Sequence, residues 1–416
     1  MNLYDTLKER GFVYQTTEET DLREMLDGPP VTCYIGYDPT AESLHVGNLV
    51  TIMMLAHAQR AGHRPVVLVG GGTSRVGDPS GKTEMRQLLT AEEIARNSEG
   101  IRTQLSRFMR FDDSPTGATM VDNAEWLLPL NYIEFLRDIG RYFAVNQMIK
   151  AKGYAERLER EQGLSFIEFN YQILQAYDYL VLHQRYGCRL QMGGADQWGN
   201  IVAGADLVRR VAGASAHAIT VELIKTSTGE KMGKTAAGAL WLSAERTRVQ
   251  DFFHYWRNVD DRDIERFLAL FTYTPMEDVR RLGSLEGKDV EAINAAKEQL
   301  ARSITALVHG EEAADAALAT ERALFLEGGD LSNAPTTAIA RDRLEAGVAL
   351  ADVLVETGLL PSKKEARRKI EQNGVSVNRT PVTDARAMLS VADVDGDHIL
   401  LSVGKKTHHR VVPSAG

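Results

Sequence analysis

The most constraining feature lies between Val31 and Val69, where a short apolar strand, a polar loop, a helix and a second apolar strand follow one another. Thr32-Cys33-Tyr34-Ile35-Gly36-Tyr37 reads as the first strand and Asp38-Pro39-Thr40-Ala41-Glu42-Ser43 as the loop. Leu49, Ile52, Met53 and Ala56 then recur at helical spacing, and Gly62 stands where a glycine commonly closes a helix. Pro65-Val66-Val67-Leu68-Val69 is apolar throughout, as expected of a strand covered on both faces. This predicts an α/β fold built on a parallel sheet, and such sheets bind ligands beyond the carboxyl ends of their strands.

The rest of the 416 residues leaves room for two or three domains. Residues 121–190 are mostly helical in pattern and rich in aromatics, and Leu190-Gln191-Met192-Gly193-Gly194 reads as a strand entering a ligand-facing turn. Residues 246–330 read as helices, and Gly328 to Pro335 is a turn-rich linker. A compact piece of 347–410 follows. It contains a Pro361-Ser362 start signal, a basic helix from Lys363 to Ile370, a strand at Gly374–Asn378 and a final strand at Ile399–Leu401.

Charge is unevenly spread. Of a net −9, residues 347–416 carry ten Lys+Arg against eight Asp+Glu, a net of +2, which leaves −11 for the first 346. A basic module on an acidic body fits nucleic-acid contact, and on charge alone it equally fits a solvated surface. No apolar run approaches the ~18 residues of a membrane span. From the acidic start (Asp5, Glu9, Glu18, Glu19, Asp21) neither a signal nor a transit peptide is expected, and Cys33 and Cys188 are the only cysteines. The expectation is a cytoplasmic protein with no structural metal.

Two motifs carry chemistry. His45-Val46-Gly47-Asn48 sits where the loop enters the helix. Unsatisfied backbone N–H groups favour an anion there, Gly47 admits close approach, and His45 and the Thr40 hydroxyl can reach a phosphate. Alone, so short a pattern more often marks a histidine capping a helix. Lys231-Met232-Gly233-Lys234-Thr235, 186 residues after His45, sets two mobile point charges on a glycine-containing loop. Alone, it reads more often as a solvated turn. Gly81-Lys82-Thr83 is not a P-loop, because Val76 stands where that pattern needs glycine.

In this order and setting, the two motifs resemble the signatures of the class I aminoacyl-tRNA synthetases, a His-x-Gly-His-type element and a Lys-Met-Ser-Lys-Ser-type loop. Asn48 replaces the second His, and Gly233 and Thr235 replace the two Ser. Tyr34 to His45, Val69-Gly70-Gly71 through Lys82, Tyr171 through Asp178, and Gln191 through Asn200 are similar to bacterial tyrosyl-tRNA synthetases over essentially the whole chain. The resemblance implies a Rossmann-like catalytic domain at 1–245, a helical anticodon-side domain at 246–335 and a small α+β S4-like RNA-binding domain at 347–410.

It further implies that Tyr34 and Asp178 bind the phenolic hydroxyl of tyrosine. Asp78, Tyr171 and Gln175 hold its ammonium, and Gln197 places its carboxylate. Thr40, His45, Lys82, Arg86, Lys231 and Lys234 serve the pyrophosphate. ATP is assigned to Gly36, Asp38, Thr40, His45, Gly47, Asn48, Asp196 and the run Lys231, Met232, Gly233, Lys234, Thr235. In many relatives a Cys follows the specificity tyrosine, and here it is Ile35. Lys363, Lys364, Arg367, Arg368 and Lys369 would meet RNA phosphates. The implied substrates are L-tyrosine, ATP with Mg²⁺ and tRNA(Tyr), with no tightly bound cofactor. A homodimer through Trp126 to Phe143 is implied as well. A tryptophan-specific synthetase and a non-catalytic RNA-binding protein on the same scaffold are the alternatives. The first is disfavoured because an indole offers only a donor.

Overall fold

The computed structural model describes residues 2–77, 89–151, 154–155, 164–227, 229, 232, 234–235, 238–284, 286–325, 335–404 and 407–414. The chain forms two compact units. The first comprises Met1–Gly233, Trp241–Ser243 and Asp260–Lys288; the second comprises Lys234–Leu240, Ala244–Val259 and Asp289–Gly416.

The first unit is organised by a six-stranded sheet of β1 (Gln15–Thr16), β2 (Thr32–Tyr37), β3 (Arg64–Val69), β4 (Thr119–Asp122), β5 (Cys188–Gly194) and β6 (His217–Val221). Their order is β1-β6-β5-β2-β3-β4, and every pairing is parallel except β1 with β6. The apolar runs seen in sequence are the central strands: Val66 to Val69 are all buried, and so are Leu49, Ile52, Met53 and Ala56 on the helix Val46–Arg60. That helix ends at Ala61, and Gly62 takes a left-handed φ of 90° just beyond it. From β2 the chain moves outward through β3 to β4, then returns to the other side of β2 as β5 and β6. The switch point therefore lies between β2 and β5, which is where such a sheet opens a crevice.

The 21-residue helix Phe166–Tyr186 packs beside this crevice. Ser165 caps its start by accepting from the Glu168 N–H, Glu168 answers the Ser165 N–H, and Gly187 closes it at a φ of 64°.

The second unit holds the helices Val249–Arg257, Val290–His309 and Glu311–Phe325 and a five-stranded sheet. Across the sheet the strands run Thr380–Val382, Val375–Val377, Ile399–Val403, Thr407–Ser414 and Thr336–Ala340. Helices Leu350–Glu356 and Lys363–Glu371 supply Leu350, Val353, Leu354, Ala366 and Ile370 to the core of this part. Ile399–Leu401 is not the final strand: Thr407–Ser414 follows and pairs in parallel with Thr336–Ala340, which lies ahead of residue 347. Pro335 is described, and the remainder of the turn-rich linker lies outside the described residues. Among the described residues no helix is long and apolar enough to cross a membrane.

Candidate functional site

A cavity of about 430 Å³ opens at the switch point, lined by the ends of β2 and β5, the start of the Val46–Arg60 helix and the middle of the Phe166–Tyr186 helix. It gathers most of the residues singled out in sequence: Tyr34, Gly36, Asp38, Thr40, His45, Gly47, Asn48, Tyr171, Gln175, Asp178, Asp196 and Gln197, with Ile35 beside them. Met232 does not line it; its side chain is buried, and its N–H donates to the Ile224 carbonyl at 3.2 Å. Asp78, Lys82, Arg86, Lys231 and Gly233 lie outside the described residues, and of Lys234 and Thr235 only the backbone is described, paired with Gly238–Ala239.

One end of the cavity is a buried polar pair. Asp178 is 1% exposed, and its carboxylate accepts from Trp126 Nε1 at 2.7 Å and Asn123 Nδ2 at 3.0 Å. Burial pushes its carboxyl up to about 7, against the pull of those two hydrogen bonds. Tyr34 is fully buried, edge-on to Tyr179 with ring centroids 5.2 Å apart, and its hydroxyl has no hydrogen-bond partner among the described residues. A buried hydroxyl left unpaired is costly, so this one is built to meet something that enters the cavity. Asn123 also accepts from the Gly72 N–H at 2.7 Å and donates to Thr73 Oγ1 at 3.1 Å, and Thr73 in turn donates to Asp38 at 3.3 Å. A Cβ at Gly70 would strike Asp38 and one at Gly71 would strike Asp122, which explains the glycines after β3.

On the same helix face, Asn200 Nδ2 donates to Gln175 Oε1 at 3.0 Å and to Gln197 Oε1 at 3.3 Å.

The other end is the start of the Val46–Arg60 helix. His45 is its N-cap: Nδ1 accepts from the Gly47 N–H at 3.0 Å, and Asn48 Oδ1 accepts from the His45 N–H at 3.1 Å. The Asn48 N–H donates to the His45 carbonyl at 2.8 Å. The expectation of open backbone N–H groups here is therefore corrected, because His45 itself takes up those of Gly47 and Asn48. With Nδ1 an acceptor, the imidazole proton sits on Nε2. A Cβ at Gly47 would lie 2.7 Å from His45 Cε1, so glycine is needed for the ring to fold back. Trp241 stands edge-on to His45 at 6.0 Å, and the Leu242 N–H donates to the Leu44 carbonyl at 2.9 Å.

Asn123, Trp126, Thr73, Gln191 and Trp241 were not assigned to the pocket from sequence. Only Gln191 carried a signal, as a polar residue inside an apolar strand; its Oε1 is buried without a hydrogen-bond partner among the described residues. Trp126 is corrected as a dimer-contact residue. It is 3% exposed and occupied with Asp178, whereas Leu128, Tyr132, Ile133 and Leu136 of the same stretch are exposed.

The basic helix Lys363–Glu371 begins on Ser362, whose hydroxyl accepts from the Glu365 N–H at 3.2 Å. Lys363, Lys364, Arg367 and Arg368 are exposed and Lys369 half-buried. Lys363 pairs with Asp352 at 2.9 Å and Arg368 with Glu365 at 2.7 Å, surface pairs of the weak, exchangeable kind.

Residues 26–325 match the family model of class I tRNA synthetases (W and Y), and residues 329–411 match the tyrosine–tRNA ligase SYY-like C-terminal domain. The chain is 51% identical over 411 residues to the tyrosine–tRNA ligase of Clostridium tetani, covering 99% of each. It is 52% identical over 432 residues to that of Desulfatibacillum aliphaticivorans, covering 100% of this chain and 99% of the other. Among solved structures, a C-terminally truncated mitochondrial tyrosyl-tRNA synthetase of Aspergillus nidulans superposes with a TM-score of 0.69 at 28% identity, over 77% of this chain and 93% of that one. The tyrosyl-tRNA synthetase of Archaeoglobus fulgidus complexed with L-tyrosine shares the fold, with a TM-score of 0.57 at 18% identity, over 76% of this chain and 100% of that one.

Proposed function

The chain belongs to the tyrosine-specific class I aminoacyl-tRNA synthetases, and from that premise we propose how its residues divide the work. As a tyrosine–tRNA ligase it activates tyrosine with ATP to tyrosyl-adenylate, releases pyrophosphate and passes the tyrosyl group to the 3′ end of tRNA(Tyr).

The observation that carries the division is the buried pair at the closed end of the cavity. Among the described residues the Tyr34 hydroxyl has no hydrogen-bond partner, and Asp178 has a carboxylate fixed by two donors. A phenol donates its proton to Asp178 and accepts from Tyr34, which satisfies both. An indole would leave the Tyr34 hydroxyl unanswered, and phenylalanine would leave both groups so. Tyr171 and Gln175, with Asp78, receive the ammonium, and the Gln197 amide nitrogen meets the carboxylate.

That carboxylate is already a nucleophile and needs no general base. It attacks the α-phosphate of ATP, and the protein's task is positioning and compensating charge on the departing pyrophosphate. The Thr40 hydroxyl and the Nε2–H of His45 supply donors from one side, and Lys82, Arg86, Lys231 and Lys234 supply cations. Asp38 and Asp196, with Gly36, Gly47 and Asn48, hold the nucleoside, and Met232, Gly233 and Thr235 of the second motif are assigned to ATP with them. Mg²⁺ arrives on the ATP phosphates as part of the substrate.

Residues 246–335 form the anticodon-side helices, and the exposed cations of Lys363–Glu371 hold tRNA by its phosphates. The exposed Tyr132, Ile133, Leu136 and Val145 form the face through which two copies pair. The location is the cytoplasm.

ATP–pyrophosphate exchange with tyrosine, phenylalanine and tryptophan tests the pocket. Exchange with tyrosine alone is expected, and equal exchange with phenylalanine would remove the Tyr34–Asp178 assignment. A chain ending before Pro335 is expected to keep exchange and lose tRNA charging. Full charging would remove the RNA assignment.

A further inference from the structure

A buried acid outside the cavity has no part in the chemistry above. Asp263 is 3% exposed and lies at the junction of the turn Asp261–Asp263 and the helix Ile264–Phe271. Both its oxygens face one backbone group: the Ser227 N–H donates to them at 2.9 and 3.2 Å. Three residues on along the helix, Arg266 donates to the Lys225 carbonyl at 3.3 Å and pairs with Glu222 at 3.5 Å. An acid and a base spaced i, i+3 on one helical face thus grip the N–H and the C=O of one short segment. Among the described residues this amide is the one hydrogen-bond donor to its carboxylate, and desolvating a carboxylate is expensive unless what it holds matters.

The segment they hold is the root of the second signature motif. Beyond Ser227 the Gly229 N–H turns back to the Thr226 carbonyl at 2.8 Å, and the Met232 N–H closes on Ile224 at 3.2 Å. In the chain Lys231 therefore stands between Ser227, gripped by Asp263, and Met232, tied to Ile224. The other root, Leu242-Ser243, is tied to Leu44 and Ser43 beside His45. A lysine compensating charge on a leaving group acts only from a defined place, since a point charge misplaced by an ångström loses most of its advantage in the transition state.

We propose that Asp263 is a positioning residue for tyrosine activation: by fixing Ser227 it sets the root from which Lys231 reaches the pyrophosphate. The proposal rests on the assignment of Lys231 to that pyrophosphate. Asp263 touches neither substrate; it acts through the backbone, with Arg266 as its helper.

The test compares Asp263→Ala, Asp263→Asn, Arg266→Ala and Lys231→Ala with the unaltered full-length enzyme. It measures ATP–pyrophosphate exchange, the tyrosine Kd and the thermal midpoint. Asp263→Ala is expected to slow exchange by about ten- to a hundredfold while the tyrosine Kd stays within about twofold. Asp263→Asn keeps one acceptor oxygen and recovers part of the rate, and Arg266→Ala gives a smaller loss of the same kind. Added to Lys231→Ala, the Asp263→Ala change costs little more, because both remove one function. If Asp263→Ala weakens tyrosine binding in step with exchange, or its effect multiplies in full on Lys231→Ala, the residue only supports the fold and the proposal is overturned. Should Asp263→Ala not fold, the same two criteria applied to Asp263→Asn and Arg266→Ala decide. Normal exchange in Lys231→Ala overturns the assignment beneath the proposal; normal exchange in Asp263→Ala with impaired Lys231→Ala overturns the proposal alone.

Discussion

On the proposed assignment, the two ends of the cavity recognise their parts of the substrates by opposite means. At the phenol end the polar groups, Tyr34 and Asp178, are almost wholly removed from water and set among Asn123, Trp126 and Tyr179. At the phosphate end Thr40 is exposed on a loop and His45 is half-buried at the N-cap of a helix. A desolvated group penalises every ligand that fails to match it, so it selects in the ground state. A donor at the solvent edge gains little from a resting phosphate and more from one taking on charge, so it acts on rate. The proposed division thus places selection where water is absent, and acceleration where a loop can reach.

The sharpest way to break that contrast is His45→Ala. It is expected to lower the rate of adenylate formation by about a hundredfold, as loss of one aligned transition-state donor does. The tyrosine Kd, read by equilibrium dialysis, should stay unchanged. A matching loss of tyrosine binding would show that the phosphate end also selects. Asp178→Ala is the converse. Loss of a hydrogen bond to a buried charge, about 1.5–3 kcal/mol, weakens tyrosine by about ten- to a hundredfold and leaves the KM for ATP in place. If the variant still prefers tyrosine to phenylalanine as strongly as the parent, selection lies elsewhere.

A third effect follows from burial. With its carboxyl raised to about 7, Asp178 is protonated below that pH and ionised above it. The ionised form accepts the phenol proton, so tyrosine affinity should rise with pH through 7 and then level off. A difference of about tenfold is expected between pH 6 and pH 8. Phenylalanine has no proton to offer and should bind weakly and without this trend, and a flat tyrosine profile would show that the neutral acid serves equally well.

How much of this was legible in sequence depended on where each contact comes from. Tyr171, Gln175 and Asp178 lie one helical turn apart, so their common face could be read from spacing alone. β2, β3 and the helix between them were legible because they carry the two periodicities that burial imposes. Asn123 and Trp126 were not, because they arrive after β4, far along the chain from Asp178, and no local pattern marks a partner across 50 residues or more. The strand Thr407–Ser414 escaped for another reason. It buries His409 and Arg410, whose polarity hides a strand from any apolar pattern, and it bonds them to Thr337 and Asp397. The cations Lys82, Arg86 and Lys231 were legible as motif residues only.

Ile35 offers the smallest and most discriminating test. It is 3% exposed and lines the cavity next to Tyr34, an apolar side chain on a strand whose lining neighbours Tyr34 and Tyr37 carry hydroxyls. If the nucleotide end works through loop donors, a side-chain contact at this strand position adds little. Ile35→Cys introduces a weak thiol donor worth at most about 0.5 kcal/mol net and gives up some apolar burial. The KM for ATP should therefore change by no more than about twofold, with the tyrosine Kd untouched. A tenfold fall in the KM for ATP would mean that a buried strand side chain, and not the loop, sets nucleotide affinity, and the two ends would then be alike in kind.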